Sequence, residues 1–283
     1  MSAPDWTREG ADWPHRAASR FVTAGGLRWH VQDMGKGPVA LLLHGTGAAT
    51  HSWRGLMPLL AARYRVIAPD LPGHGFTRMP EADGMTLPAM AQSLAALLDA
   101  LDARPSLAIG HSAGSAIAVR MALDGSITPQ RILSINGALL PFPGVAALLF
   151  PAMARALFLN PLAPRLFALQ ARIGGETMRV LTRSTGSVIP APEALCYEKL
   201  FRTTGHCTAA LTMMAQWDLA PLERNLPQLQ IPLTLLHGSA DRAVPGSVAR
   251  IVAERVAHGT AVELPGLGHL AHEEAPMAVM DHV

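Results

Sequence analysis

The run Val39-Ala40-Leu41-Leu42-Leu43, set between Gly37 and Gly45, limits the fold more than any other stretch of the chain. Five apolar residues in a row leave no polar face, so a strand built from them must be covered on both sides. Shorter runs repeat the signal: Arg65 to Ala68, Leu107-Ala108-Ile109, Arg131 to Ile135, Leu233 to Leu236 and Ala261 to Leu264. Between them lie stretches with helical spacing: Ser52 to Ala62, Leu87 to Leu101, Ala113 to Leu123, Val248 to Val256 and a last helix from Glu273. In the second of these, Leu94, Leu97, Leu98 and Leu101 share one face. Strand–helix alternation predicts an α/β fold with a mainly parallel central sheet covered by helices on both faces. Ahead of it, Arg20 to Thr23 and Leu27 to Gln32, separated by Gly25-Gly26, read as a β-hairpin. The residues up to about Pro14 are polar and are expected to be loosely held.

The alternation stops between about Leu139 and Asn225, where the pattern is helical and broken by prolines. The expected organisation is therefore a core over 1–138, an inserted helical cap or lid over 139–225, and a resumed core over 226–283. The most apolar stretch, Ala138 to Gln170, is long enough to raise the question of a membrane span. Pro141, Pro143, Pro151, Pro161 and Pro164 interrupt it, and Arg155 and Arg165 sit inside it. Several short helices fit better than one spanning helix.

Composition excludes some functions. The 283 residues carry a formal net charge of only +2 with scattered basic residues, which leaves no electrostatic footprint for nucleic acid. Cys196 and Cys207 are too few for a disulfide framework and read as free thiols. No apolar core follows the charged start at Asp5, Arg8 and Glu9, so no signal peptide is read there and a cytoplasmic location is expected. There is no His-Glu-x-x-His, no Cys-x-x-Cys and no Walker loop, so neither a metal nor another cofactor is expected. The adjacent His206 and Cys207 alone make a poor chelate.

The sharpest local motif is Gly110-His111-Ser112-Ala113-Gly114, a Gly-x-Ser-x-Gly placed between a predicted strand and a predicted helix. By itself the pentapeptide also fits a glycine-rich turn with an incidental serine. In this context it reads as a nucleophile elbow, where flanking glycines let a serine occupy a tight turn at the sheet edge. A serine nucleophile needs a base to take its proton and an acid to orient that base. Asp241, in the loop Gly238 to Pro245 just after a strand, is the candidate acid; a simple helix-capping role is the alternative, and Asp218 is the rival. His269, at the end of Leu264-Pro265-Gly266-Leu267-Gly268-His269, is the candidate base, with His272 as the rival. His44-Gly45-Thr46-Gly47 follows the first long buried strand at the place where an oxyanion hole is needed. The expected donors are the backbone N–H groups of Ala113 and Thr46, with Gly45 as the alternative to Thr46.

Taken together, Leu41 to Gly47, Pro69-Asp70-Leu71-Pro72-Gly73-His74-Gly75, Gly110 to Gly114 and Gly266 to His269 resemble the α/β-hydrolase superfamily over nearly the whole chain except the cap. A narrower likeness lies in Asp12-Trp13-Pro14, Gly25 to His30, Thr46 to Trp53, Asn160-Pro161-Leu162, Met213 to Leu219 and Gly266 to Pro276. These segments resemble the BchO-type magnesium chelatase accessory proteins of bacteriochlorophyll biosynthesis. The resemblance implies an α/β-hydrolase fold and a role around magnesium insertion into protoporphyrin, with magnesium chelatase subunits as partners. It supplies no reaction, because the family's role is an accessory one.

The cap is rich in large apolar side chains, among them Phe142, Leu148, Phe150, Met153, Phe158, Met213, Met214 and Trp217. Most serve the cap's own core, but a lid over such a site also lines the pocket. The substrate is therefore expected to be a hydrophobic small molecule, and adaptable Met side chains would suit a flat tetrapyrrole. Phe142, Met213 and Trp217 are the expected substrate contacts, together with His111, which otherwise reads as a packing or hydrogen-bonding residue. Arg155, Arg165 and Arg172 read as a solvated face, with pairing to propionate carboxylates as the alternative. Three functions share these residues: acyl hydrolysis, a non-hydrolytic accessory role on a hydrolase scaffold, and cofactor-free haloperoxidase-like or carbon–carbon bond hydrolysis.

Overall fold

The architecture was obtained from a computed structural model, which describes residues 3–81, 83–141, 160 and 162–283. Eight strands form one sheet: β1 (Ser19–Ala24), β2 (Leu27–Met34), β3 (Val39–Leu43), β4 (Arg65–Pro69), β5 (Pro105–His111), β6 (Arg131–Ile135), β7 (Leu233–Gly238) and β8 (Gly259–Leu264). Their order across the sheet is β1-β2-β4-β3-β5-β6-β7-β8. β2 runs antiparallel to both β1 and β4, and every other pairing is parallel.

The unbroken apolar strands are explained by two cores. Leu41 and Leu43 of β3 face one side with Ala108, Ile132, Leu233 and Leu235, while Ala40 and Leu42 face the other with Ile109, Leu133 and Leu236. On the first side pack α2 (Leu87–Ala100), α3 (Ala113–Leu123) and α9 (Ser247–Arg255). α1 (Leu56–Ala61) and the closing helices α10 (Ala271–Glu274) and α11 (Pro276–Met280) cover the second. The Thr86 side chain accepts from the Ala89 N–H to cap α2, and Pro88 occupies its first turn.

Between β6 and β7 the described residues hold only helices: α4 (Ala163–Gln170), α5 (Glu176–Thr185), α6 (Ala191–Phe201), α7 (Thr204–Gln216), α8 (Ala220–Asn225) and a short 3-10 turn. Among the described residues no helix is long and apolar enough to cross a membrane. Phe142, Leu148, Phe150, Met153, Arg155 and Phe158 lie outside the described residues.

The N-terminal segment departs from expectation. Trp13 is 2% exposed and donates its Nε1–H to Thr50 Oγ1 at 2.9 Å. It packs with Phe76, Ala49 and, from the cap, Cys196 and Leu200, while Asp12 pairs with Lys199. The segment is therefore a strap across core and cap. Reading it as loose weighed its polar residues and missed what one large aromatic ring gains by burial.

Candidate active site

Ser112 stands between β5 and α3 with φ 50° and ψ −117°, a backbone state that L-residues rarely hold. The flanking glycines make the turn possible. A Cβ on Gly114 would lie 2.0 Å from the Leu43 carbonyl oxygen, and one on Gly110 would lie 2.5 Å from Ser115 Cα. The Ser112 N–H is secured by the Ile135 carbonyl at 3.0 Å. Ala113 opens α3, so its N–H belongs to the unpaired first turn of a helix.

Asp241 and His269 come from the loops after β7 and β8, and they meet. His269 Nδ1 donates to Asp241 Oδ2 at 2.8 Å, while Asp241 Oδ1 accepts the N–H groups of Ala243 at 2.7 Å and Val244 at 2.9 Å. Both oxygens of the carboxylate are thus occupied and its orientation is fixed. The two side chains are 1% and 8% exposed, so water competes little for the bond. With Nδ1–H donated, the neutral ring keeps its lone pair on Nε2. Ser112, His269, Thr46 and Ala113 all line one cavity of about 310 Å³. Its remaining walls include Ala138, Met214, Trp217, Asp218 and Val244.

The rivals have other surroundings. Asp218 is exposed at the rim and accepts the Ala220 N–H at 2.9 Å. His272 is fully buried with neither ring nitrogen hydrogen-bonded; its Nε2 lies 3.9 Å from Glu273 Oε1, and its ring packs tilted against Trp53 at 4.6 Å. Burial, with His269 and His44 nearby, pushes its imidazole down to about 3. His111 is buried too; its Nε2 bonds the His269 carbonyl at 2.9 Å, and burial with neighbouring imidazoles holds it well below the usual histidine range. Its place is beneath the His269 loop, along a narrow space beside Ser112.

Of the expected substrate contacts, Trp217 lines the cavity. Met213 is fully buried, and its Sδ accepts from the Thr46 hydroxyl at 3.4 Å. The residue of that helix lining the cavity is Met214, because successive helical positions are turned about 100° apart and 213 points into the core. Phe142 lies outside the described residues, and Arg165 and Arg172 are exposed.

Several supports were not read from the sequence. His44 fixes the candidate oxyanion loop: Nδ1 donates to the Gly45 carbonyl at 2.8 Å and Nε2 accepts the Leu71 N–H at 2.9 Å. Burial lowers its affinity for a second proton, which keeps that two-way pattern available. Asn136, after β6, donates Nδ2–H to the carbonyls of Gly268 at 2.9 Å and His269 at 2.7 Å, and accepts the Gly238 N–H at 2.7 Å. Its φ of 47° lies in the left-handed region, which Asn tolerates better than most residues. Glu274 Oε1 accepts from Gly268 N–H at 2.8 Å and from the Ser187 hydroxyl at 2.6 Å. The Thr185 carbonyl takes the His269 N–H at 2.9 Å. The cap segment 185–187 is thereby bonded to the loop that presents His269. His206, also in the cap, accepts the Gly75 N–H and donates to the Gly47 carbonyl, with burial pushing its imidazole down to about 4. Among the described residues no group of three or more His, Cys, Asp or Glu side chains is placed to hold a metal ion.

Residues 40–282 match the alpha/beta hydrolase family. The magnesium-chelatase 30 kDa subunit of Rhodobacter capsulatus is 45% identical over 271 residues, which cover 94% of this chain and 93% of that protein. A pimeloyl-[acyl-carrier protein] methyl ester esterase of Aeromonas hydrophila is 28% identical over 89% of this chain and 97% of its own. Among solved structures, the epoxide hydrolase CorEH superposes with a TM-score of 0.78 at 25% identity, covering 93% of this chain and 96% of that one. An α/β-hydrolase fold protein of Burkholderia ambifaria gives 0.76 at 23% identity, over 94% and 96%. The chain belongs to the alpha/beta hydrolase family and is related over nearly its whole length to a magnesium-chelatase 30 kDa subunit.

Proposed function

We propose that the protein is a serine hydrolase that cleaves an ester, amide or thioester of a hydrophobic small molecule, with Ser112 as nucleophile, His269 as base and Asp241 as its orienting acid. The observation that carries the reading is the 2.8 Å bond from His269 Nδ1 to a fully occupied Asp241 carboxylate, with His269 in the same cavity wall as the elbow serine. Ser112 Oγ attacks the carbonyl carbon as its proton passes to His269 Nε2. The backbone N–H groups of Thr46 and Ala113 take the charge that develops on the carbonyl oxygen; losing one such donor costs about 10²–10³ in rate. Collapse expels the leaving group, which takes the proton back from His269, and water then releases the acyl group from Ser112 by the same steps. A serine at the elbow does not supply the carboxylate nucleophile of haloalkane dehalogenases and epoxide hydrolases.

The likeness to a magnesium-chelatase subunit supports service at the magnesium chelatase step, with a tetrapyrrole or related apolar molecule as substrate and chelatase subunits as partners. The same likeness favours one second reading, an accessory protein that binds porphyrin or chelatase subunits without hydrolysis. Hydrolysis of p-nitrophenyl butyrate tests the first reading. Asp241→Asn should keep the fold and lose about 10⁴ in kcat, because the histidine loses its tautomer lock. Undiminished turnover in Asp241→Asn contradicts the assignment. A Ser112→Ala strain that still supports magnesium insertion would favour the second reading.

A further inference from the structure

Ser112 opens onto more than one space. The cavity of about 310 Å³ lies on the side of α7 and the acid loop, walled by Ala138, Met214, Trp217 and Val244. A second space of about 290 Å³ is a groove open to the surface between α4, α5 and the end of α6, lined by the exposed Phe167 and Val180 and, deeper, by Leu181 and Phe201. A narrow space of about 90 Å³ sits between them, and its wall contains Ser112 and His269. That narrow space shares Leu181, Thr185 and Phe201 with the second cavity, and Thr46 lines all three. The divider is Phe201, whose ring tip would lie 3.0 Å from a Cβ placed on Gly47. A side chain at 47 would press on the ring, and its absence lets the ring sit against backbone.

We propose that the substrate of this site, on the hydrolase reading above, has two apolar arms, one on each side of the reacting carbonyl: one seated against Met214 and Trp217, the other passing Phe201 into the pocket of Val180 and Leu181. The carbonyl sits at the waist, where Thr46, Ser112 and His269 converge. Both compartments expose mainly apolar surface, and Glu176, the acid that lines the second, is already paired with Arg179 and Gln170, so each arm is an uncharged hydrocarbon or aromatic group. The volumes stand at, and just below, the lower end of the range of about 300–1,000 Å³ for small-molecule pockets. The arms are therefore of medium size, and of the substrates proposed above a divided space of this form suits a related, bent apolar ester or thioester rather than an undivided tetrapyrrole ring. Affinity from burial scales with the apolar area each arm hides, so a ligand that fills both compartments gains over an isomer that fills one.

The test uses binding, so it stands apart from whether the serine turns over. Ser112→Ala protein is titrated calorimetrically with dipentyl ketone and with methyl nonyl ketone, which have the same carbon count and differ only in where the carbonyl lies. Dipentyl ketone should bind at least about tenfold tighter, a difference of about 1.4 kcal/mol. Adding Leu181→Trp, which fills the passage into the cap compartment, or Met214→Trp, which fills the other, should each remove that advantage, while thermal melts confirm folding. Equal affinities for the two ketones overturn the proposal. So does an advantage that survives either plug in a folded protein. Esterase activity of the parent is recorded in parallel; its absence would count against the hydrolase reading while the ketone titrations still decide the two-armed shape.

Discussion

Ser112 can hold φ 50° because nothing larger than hydrogen stands at Gly110 and Gly114. Gly114→Ala would force a methyl to 2.0 Å from the Leu43 carbonyl oxygen, on a strand that cannot move. We expect a loss of more than about 4 kcal/mol in chemical denaturation, in the class of severe backbone clashes; a change under about 1 kcal/mol would show that the elbow relaxes. Glu273 offers a test by pH. Burial first, then Glu193 and Glu274 nearby, push its carboxyl up to about 8, against the hydrogen bond that Tyr197 donates to Oε1 at 2.6 Å. The unfolded carboxyl has its ordinary value of 4.5. Between the two, the folded protein holds a proton that the unfolded chain has released, so this group's contribution is full below pH 4.5 and is lost as pH rises toward about 8. Glu273→Gln keeps an acceptor for Tyr197 and should gain on the parent by up to about 1.4 kcal/mol per pH unit across that window. A pH-independent difference between the two proteins would mean that Glu273 is ionised throughout.

At the scale of elements, the loop between β8 and α10 is held by groups far from it in sequence, Asn136 after β6 and Thr185 and Ser187 in the cap, and by Glu274 at the end of α10 itself. Glu274→Ala leaves the Gly268 N–H and the Ser187 hydroxyl without their acceptor. The expected cost is about 1–3 kcal/mol in stability, with esterase kcat falling several-fold and KM nearly unchanged as His269 loses its fixed position. A KM effect with intact kcat would instead place Glu274 in substrate binding. These supports also mark how far the sequence could be read. β3, β5 and β7 were legible because strands buried on both faces have no polar positions, and the elbow because its glycines are sterically required. Asn136, Ser187 and Glu274 were not, since a polar side chain carries no sign of which distant carbonyl or amide it will meet. Met213 and Met214 were legible as a pair, but which one faces the cavity depends on the roll of α7 against the sheet.

Across the whole molecule, core and cap are joined at both ends of the chain. Trp13 anchors the N-terminal strap in a pocket that includes Cys196 and Leu200 of the cap. Trp13→Ala should cost about 3–5 kcal/mol and raise proteolysis within the cap; a loss under about 1 kcal/mol would make the strap incidental. The interior is also poor in sites for extra protons. Burial holds His51 and His272 down to about 3 and His206 down to about 4. Their unfolded values lie near 6.5, so the unfolded chain takes up protons first as pH falls. Stability from these groups is complete above about 6.5 and is lost below it, each adding up to about 1.4 kcal/mol per pH unit. Melting temperature should therefore drop steeply from pH 6.5 toward pH 4, and a flat profile over that range would contradict the buried neutral state of these rings. The central claim, that Ser112 is an activated nucleophile, is tested most directly by exposing the protein and its Ser112→Ala variant to a fluorophosphonate and recording intact masses. A single adduct on the parent and none on the folded variant is the predicted result; an unmodified parent, or an equal adduct on Ser112→Ala, would contradict it.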